Sequence, residues 1–187
     1  EGAFYGPKVD FIAKDALKRE HQLGTIQLDY ILPGRFGPTY IDADDAPQQP
    51  VMIHRAMLGS LERFFGILVE HTAGAFPFWL APEQIRVLSI TERTGEYAQK
   101  VAAMLADSGL RAEADLRNEK IGAKIREAQL AKVPIMLIVG DREASEGAVA
   151  VRLRAEGDQG AMKTEQLLAK ALEWNRRKSA IATEIFD

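Results

Sequence analysis

The sequence contains no cysteine, which excludes disulfide bonds and any metal site built from thiolates of this chain. It has no apolar run of the roughly 18 residues that span a bilayer, no start of the signal-peptide type, no internal repeat and no low-complexity tract. Positive charge is not in excess either, since the formal net charge is -3. Any binding of nucleic acid must therefore depend on a local surface.

What remains is a chain of 187 residues with 47% hydrophobic and 27% charged residues, which is ordinary for a globular protein. That length accommodates one large domain or two small ones. The chain begins without a methionine, and its first residues, EGAFYGPK, enter what reads as the middle of a structural unit. We therefore expect a fragment of a longer protein.

The first 80 residues carry the patterns of antiparallel strands followed by a helix. In one strand, Ile26, Leu28 and Tyr30 alternate with polar neighbours, which is typical of a half-buried strand. The helix has one apolar face at helical spacing. The predicted elements are strands over 8–13 and 21–32 joined by a short polar hairpin, a loop over about 33–50, an apolar stretch over 51–53, and a helix over about 56–72 with Leu58, Leu61, Phe65 and Leu68 on that face.

A proline- and aromatic-rich tract over 74–82 predicts a linker, and beyond it strands alternate with helices. Gly109 is placed to end the first of these helices. Such alternation predicts an α/β layer with helices covering a sheet. We therefore predict domains over 1–80 and 81–187. The predicted elements of the second are strands near 84–90, 110–115, 134–139 and 147–154, and helices near 94–107, 120–131 and 163–181.

Three stretches resemble the threonyl-tRNA synthetases, and together they cover essentially the whole chain. They are EGAFYGPK at 1–8 with GTIQLD at 24–29, PVMIHRAMLGSLERF at 50–64, and ADLRNEKIG at 114–122 with GDRE at 140–143. The second is similar to that family's version of class II motif 3. The third is shared more loosely with the proline, histidine and glycine enzymes.

The resemblance implies an α+β remnant of a class II catalytic domain, with antiparallel strands and the motif 3 helix. An α/β anticodon-binding domain would follow, with a mixed sheet flanked by helices. The chain departs from the general class pattern, which has glycines where Ala56, Leu58 and Ser60 stand here, next to Gly59. The likeness is thus to the threonine branch.

The implied activity is that of a threonine–tRNA ligase, which activates threonine with ATP and magnesium and transfers it to threonine tRNA. The resemblance also implies a cytoplasmic homodimer, and no membrane partner is expected. Motifs 1 and 2 would lie outside this chain, so we expect no threonine-dependent pyrophosphate exchange from it alone.

For the threonine and adenylate pocket the resemblance implies Tyr5, Lys8, Gln22, Gln27 and Ser60, and for ATP it implies Arg63. Taken alone, Tyr5 in a core and Lys8 or Arg63 in solvent would be ordinary. Adenylate formation, however, needs positive charge near the phosphates, and the guanidinium fork suits phosphate oxygens.

Gln22 and Gln27 are five residues apart, so on a regular strand they would face opposite sides. If both serve one pocket, the strand must bulge, and Gly24 is the natural place for it.

His54 matches the last of the three zinc ligands of the family, where the open position of the metal receives the amino and hydroxyl groups of threonine. That geometry would separate threonine from isosteric valine, which lacks the hydroxyl. The other two ligands would lie outside this chain, so no stoichiometric zinc is expected here. A lone histidine is otherwise more often structural.

For the anticodon the resemblance implies Arg117, Asn118, Lys120, Glu143 and Arg152. The basic residues from Arg117 to Lys132, including Lys124 and Arg126, predict a face that meets phosphates, although such a face is often only solvated. Asn118, Glu143 and Arg152 can hydrogen-bond the unstacked bases of a loop.

Three alternatives compete with this interpretation. Another class IIa synthetase is disfavoured by His54 together with the run GSLER at 59–63. A non-catalytic paralogue would use the anticodon-binding fold as an RNA or interaction module, but it would be expected to lose several pocket residues. An unrelated α/β small-molecule binder has no phosphate-binding loop to favour it.

Overall fold

The computed structural model of the chain describes residues 2–179 and contains two compact units, divided between Glu70 and His71. The first unit is built on a four-stranded antiparallel sheet of order β1-β2-β3-β6, with β4 and β5 forming a separate small ladder. Its elements are β1 (Gly2–Ala3), β2 (Gly6–Lys14), β3 (Glu20–Asp29), α1 (Leu32–Phe36), β4 (Tyr40–Ile41), β5 (Pro47–Gln48), β6 (Met52–Ala56) and α2 (Leu61–Thr72).

The predicted hairpin of the first unit is confirmed, but β3 ends three residues earlier than expected. The cause is Asp29, whose Oδ1 accepts hydrogen bonds from the amides of Ile31 and Leu32 at 3.0 and 2.9 Å. Such a side chain offers the backbone a local alternative to the ladder. The chain therefore turns into α1, with Pro33 in its first turn, where a missing N–H costs nothing.

The predicted helix over 56–72 is wrong at its start, because residues 52–56 extend the sheet as β6. A turn with Gly59 at a φ of 64° follows, and α2 begins only at Leu61. The Ser60 hydroxyl oxygen accepts a hydrogen bond from the Arg63 amide at 3.3 Å, which is the bond expected of an N-cap residue. Leu58 therefore precedes the helix instead of lying on its apolar face.

The second unit has a five-stranded mixed sheet of order β11-β10-β9-β7-β8, in which β7 is parallel to both neighbours. The strands β10 and β11 are antiparallel additions at the β9 side. The elements are β7 (Ile85–Ser89), α3 (Gly95–Asp107), β8 (Ala112–Asp115), α4 (Ile121–Leu130), β9 (Ile135–Val139), α5 (Asp141–Glu146), β10 (Ala148–Leu153), β11 (Gly157–Lys163) and α6 (Thr164–Arg177), with short 3₁₀ turns at Phe78–Leu80 and Glu92–Thr94.

Seven of these elements confirm the sequence prediction to within about two residues at most ends, whereas α5 and β11 were not predicted. Residues 180–181, which the prediction placed in the last helix, lie outside the described residues. Within residues 2–179, no helix has the length and apolar character to cross a membrane.

Helices cover both faces of the second sheet. On one face, Val101 and Leu105 of α3 and Leu167 of α6 pack with strand residues such as Val87 and Leu137. On the other face, α4 packs Ala128, with Ile121 and Ile125 beside it, against Leu88 and Met136. The predicted mixed sheet flanked by helices is confirmed, and its carboxyl edge is left to loops.

The tract expected to be a linker packs on the second unit. Phe78 is buried and stacks on Trp174, with ring centroids 4.5 Å apart. Arg111 donates to the carbonyl oxygens of Ala81 and Trp79 at 2.8 and 2.9 Å. These contacts fix residues 78–81 against the core of that unit.

Candidate functional site

One face of the first sheet brings together three of the predicted pocket residues and the predicted zinc ligand. Lys8 pairs with Gln27 across β2 and β3, and Gln27 pairs with His54 across β3 and β6. Directly opposite residues of antiparallel strands share a face. Tyr5 joins them, because its hydroxyl donates to Gln27 Oε1 at 2.6 Å and its ring centroid lies 6.0 Å from that of His54. We call Tyr5, Lys8, Gln27 and His54 the polar face.

Gln22 reaches the same face through the expected bulge. Phe11 pairs with Gly24 and Ile12 with Gln22, so Leu23 is an extra residue in β3. A Cβ on Gly24 would lie 3.2 Å from the carbonyl oxygens of Ala56 and Met57, which explains the glycine at this close approach. The predicted bulge beside Gly24 is confirmed.

The amide of Gln22 donates to Asp10 Oδ1 at 2.7 Å, and Asp10 forms an ion pair with Lys8 at 2.8 Å. Hydrogen bonds from Lys8 and Thr25 hold the pKa of Asp10 below its ordinary value. The ammonium of Lys8 is therefore held in place on the sheet by a carboxylate two residues away.

Asp29 is a buried residue of this region whose role was not predicted from the sequence. Its Oδ2 lies 2.8 Å from His54 Nε2, while Oδ1 receives the amides of Ile31 and Leu32. Burial raises the pKa of Asp29, but hydrogen bonds from the Leu32 amide, His54 and the Ile31 amide outweigh it and leave the pKa below its ordinary value. A carboxylate that engages one ring nitrogen orients the imidazole and leaves the other nitrogen to a ligand.

The residues present fit one position of a metal site and no more. Across residues 2–179 there is no group of three His, Cys, Asp or Glu side chains that could hold a metal ion. The Nε2 of His54 hydrogen-bonds the carboxylate of Asp29, which orients the ring, and the other ring nitrogen can bind a metal. Protein metal ligands usually combine these two features.

Ser60 and Arg63 lie at the start of α2, outside the strands that carry the polar face. The Ser60 hydroxyl donates to Glu62 at 2.7 Å and caps the helix through the Arg63 amide. A Cβ on Gly59 would meet the carbonyl oxygen of Gln22 at 3.4 Å, so the turn before α2 passes beside the bulged strand. Arg63 is exposed.

In the second unit, most of the predicted anticodon residues lie at the carboxyl edge of the parallel strands. The exposed loop 116–120, which carries Arg117, Asn118 and Lys120, leaves the end of β8, and Glu143 lies in α5 just after β9. Loops at this edge of an α/β sheet are the usual place for ligands.

Arg117 is held by two carboxylates. Its guanidinium donates to Asp115 Oδ1 and Oδ2 at 3.0 and 2.6 Å and to Glu127 at 2.7 Å. The bond to Asp115, followed by that to Glu127, raises the pKa of Arg117 above its ordinary value. Beside it is a polar cavity of about 350 Å³, lined by these three residues together with Arg86, Glu113, Ala114 and Leu116.

Glu143 has a structural contact of its own. Its Oε2 accepts the Gly140 amide at 2.9 Å and so closes the first turn of α5. Arg152 lies farther from the edge, opposite Met136 on the α4 side of the sheet, and its buried Nε has no hydrogen-bond partner within the described residues. The structure therefore groups four of the five predicted residues and separates Arg152.

Lys124 was expected on an exposed basic face that meets phosphates, and this expectation is wrong. Its side chain is 1% exposed. The ammonium donates to the carbonyl oxygens of Ser89 and Asp115 at 2.9 and 3.0 Å and to the Ser89 hydroxyl at 3.2 Å. Charge type alone could not reveal that this lysine points inward.

Comparisons with known proteins match both units. A model described as the tRNA synthetase class II core domain (G, H, P, S and T) matches residues 1–72, and one described as an anticodon binding domain matches residues 84–174. The threonine–tRNA ligase of Halorhodospira halophila is 59% identical over 170 residues, which is 91% of this chain and 27% of that protein. That of Chlorobium phaeobacteroides is 52% identical over 179 residues, which is 96% of this chain and 27% of that protein.

Among solved structures, the RNA binding domain of threonyl-tRNA synthetase from Cryptosporidium parvum Iowa II superposes with a TM-score of 0.88 at 44% identity. The match covers 93% of this chain and 44% of that one.

The two units are thus those of a class II aminoacyl-tRNA synthetase, a core part and an anticodon-binding domain. Within that class the chain belongs to the threonine–tRNA ligase family. It spans about a quarter of the length of the curated relatives that it matches.

Proposed function

We propose that this chain provides the anticodon-binding domain and part of the aminoacylation site of a threonine–tRNA ligase. The observation that carries the proposal is the polar face, where Tyr5, Lys8, Gln27 and His54 share one side of the sheet. Chains related to this one at more than half identity are named threonine–tRNA ligases, which supports the same assignment.

In the whole enzyme, threonine and ATP with magnesium would give threonyl-adenylate, and the acyl group would then pass to threonine tRNA. Tyr5, Gln22 and Gln27 offer hydrogen bonds to threonine and the adenylate, and Ser60 completes this set. Lys8 and Arg63 supply positive charge for the phosphates. We place this enzyme in the cytoplasm as a homodimer. The chain alone would carry out neither step.

His54 would be one ligand of a zinc ion through the nitrogen that Asp29 leaves bare. Bound zinc would supply an open coordination position that distinguishes threonine from valine. The remaining ligands would come from parts of the enzyme outside residues 1–187, and this chain alone is expected to hold no stoichiometric zinc.

For the domains, we propose that residues 1–80 derive from the catalytic domain and residues 81–187 form the anticodon-binding domain. Residues 78–80 would then be counted with the catalytic domain in sequence. They nevertheless pack on the anticodon-binding domain, as the stacking of Phe78 on Trp174 indicates.

The anticodon assignment rests on Arg117, Asn118, Lys120, Glu143 and Arg152. Loop 116–120 is exposed and combines cationic and amide side chains, which suits phosphates and base edges respectively. Lys120 would contribute mainly to salt-dependent affinity, whereas Asn118 and Glu143 would contribute to the choice of bases.

The test is a titration of the chain with stem-loop RNAs that carry the threonine anticodon or altered anticodons. The wild-type chain should prefer the cognate loop. N118A and E143Q should each lose about 1–3 kcal/mol against the cognate loop only, which is the usual scale of a base contact. E143Q is chosen because glutamine preserves the helix-capping acceptor.

K120A should weaken every RNA alike and reduce the salt dependence of binding. The matched control is K100A on α3, whose ammonium pairs only with Glu96 on the same helix among the contacts described for residues 2–179. Equal binding of all loops by the wild-type chain would overturn the anticodon assignment and favour a non-catalytic RNA-binding module.

A further inference from the structure

Lys124 is buried where two parallel strands of the second unit end. It lies on α4, and its ammonium bonds three acceptors, the carbonyl oxygens of Ser89 and Asp115 and the Ser89 hydroxyl. The nearest carboxylate oxygen is Asp115 Oδ1 at 3.9 Å. A buried ammonium is costly unless it is paired and hydrogen-bonded, and these three hydrogen bonds offset that cost.

The acceptors of Lys124 are the last residues of β7 and β8. The Asp115 carbonyl oxygen accepts hydrogen bonds from both Lys124 Nζ and the Ser89 hydroxyl, the latter at 3.1 Å. These bonds tie the carboxyl ends of the two strands to each other and to α4. Removing the ammonium would leave buried carbonyl groups without this donor.

Loop 116–120 departs directly from this tie. The carboxylate of Asp115 accepts the Arg117 amide at 3.1 Å and the Arg117 guanidinium at 3.0 and 2.6 Å. Arg117 then bonds Glu127, which lies on α4 three residues after Lys124. The loop is thus anchored at its start through two residues of one helix, one buried and one exposed.

We propose that Lys124 is a positioning residue, which fixes the direction in which loop 116–120 leaves the sheet and thereby sets the reach of Arg117 and Asn118 toward anticodon bases. It acts through Asp115 and does not touch the RNA. The inference rests on the proposed function of this loop in anticodon recognition.

A positioning role differs in its readout from a phosphate contact. A phosphate contact releases a counterion, so its loss reduces the salt dependence of binding. Lys124 releases none because it is buried, so its loss should reduce discrimination between anticodons and leave the salt dependence unchanged. Lys120 should show the opposite behaviour.

The experiment compares K124M and S89A in the full chain with V101A. Methionine keeps the apolar stem of the lysine, and S89A removes two hydrogen bonds of the same tie, the one from Lys124 to the Ser89 hydroxyl and the one from that hydroxyl to the Asp115 carbonyl. Val101 is buried on the opposite face of the sheet, so V101A lowers stability without touching the tie. Each variant is titrated with cognate and altered stem-loops at several salt concentrations.

K124M and S89A should each reduce the preference for the cognate loop, K124M by about fivefold or more, which corresponds to about 1 kcal/mol. V101A should keep the wild-type preference. If K124M is unfolded at the assay temperature, S89A decides. Wild-type preference in the folded tie variants, or a reduced salt dependence in K124M, would overturn the inference.

Hydrogen exchange separates this failure from a failure of the proposed function. Without RNA, K124M and S89A should speed exchange at residues 116–120 relative to V101A. A wild-type chain that binds all loops equally refutes the anticodon assignment, and Lys124 then positions the loop for no anticodon. Unchanged exchange in both tie variants refutes the positioning role by itself.

Discussion

The two units of this chain form secondary structure equally well but bury very different amounts of apolar surface. Apart from Pro33, every buried apolar side chain among residues 2–179 lies between Phe78 and Trp174. The first unit has an antiparallel ladder with one bulge, yet Phe11, Ile53 and Phe65 are all more than half exposed. A pattern of alternating residues is therefore enough to specify a sheet, whereas a core requires a second layer to pack against.

This contrast agrees with the proposal that the first unit is part of a larger catalytic domain. Its apolar side chains would be covered by other parts of the enzyme, since contiguous exposed apolar surface usually marks an interface. The second unit has its own core on both faces of its sheet and should unfold as a cooperative domain.

The largest effect on stability is expected from a pair of Phe-to-Ala variants, one in each unit. The pair tests the contrast between a unit with a core and a unit without one. F78A removes a side chain that is 1% exposed and stacked on Trp174, whereas F65A removes one that is 61% exposed. F78A should lower the free energy of unfolding of the second unit by about 3–5 kcal/mol. F65A should change it by less than about 0.5 kcal/mol, as surface substitutions do.

Urea denaturation followed by Trp fluorescence measures both variants, because Trp79 and Trp174 lie in the second unit. Equal losses in F78A and F65A would contradict the division into a unit with a core and a unit without one.

How far the sequence predicted the fold depends on how local each signal was. The hairpin of β2 and β3 and the apolar strand β9 were predicted from their own residues. In contrast, β11 has the sequence GDQGAMK, with two glycines and no β-branched residue, and forms because β10 offers it a partner. The six residues of α5 are too few for a helical period.

For the site, the sequence and its resemblance predicted which residues share the polar face but not what orients them. Asp29 and Lys124 act through contacts between distant positions, and neither contact leaves a periodic signal. Gln84 illustrates the same limit: it is fully buried and bonds the Phe78 carbonyl, the Arg111 amide and Asn175, 91 residues away. Counting charged residues likewise gave Lys124 a surface role that its burial excludes.

A smaller loss of stability is expected within the second unit when Glu143 is replaced. Its carboxylate accepts the Gly140 amide at the start of α5. E143A should lower the free energy of unfolding by about 0.5–2 kcal/mol, which is the cost of losing a helix cap, and E143Q by only a few tenths. Thermal unfolding of both variants checks this. A loss in E143Q as large as that in E143A would mean that the charge, and not the capping hydrogen bond, stabilises the turn.

D29N is expected to have the smallest effect on the unfolding of the second unit. It tests the contacts that orient His54 in the first unit, which has no comparable core. Asparagine keeps an oxygen for the amides of Ile31 and Leu32, so α1 should persist. The group facing His54 Nε2, however, changes from an acceptor to an N–H donor if the oxygen keeps its place. In the wild-type chain the neutral ring should carry its proton on Nε2, which donates to the carboxylate. In D29N the proton should move to Nδ1, the nitrogen proposed for the metal, because Nε2 must now accept. The ¹⁵N chemical shifts of the imidazole at alkaline pH report this tautomer directly.

D10N is the matched control, because Asp10 bonds Gln22 and Lys8 on the same face and should leave the His54 tautomer as it is. The unfolding of the second unit should be the same in both variants, since its core contains neither residue. An unchanged tautomer in D29N would mean that Asp29 does not set the ring state, and the nitrogen assigned to the metal would lose its basis.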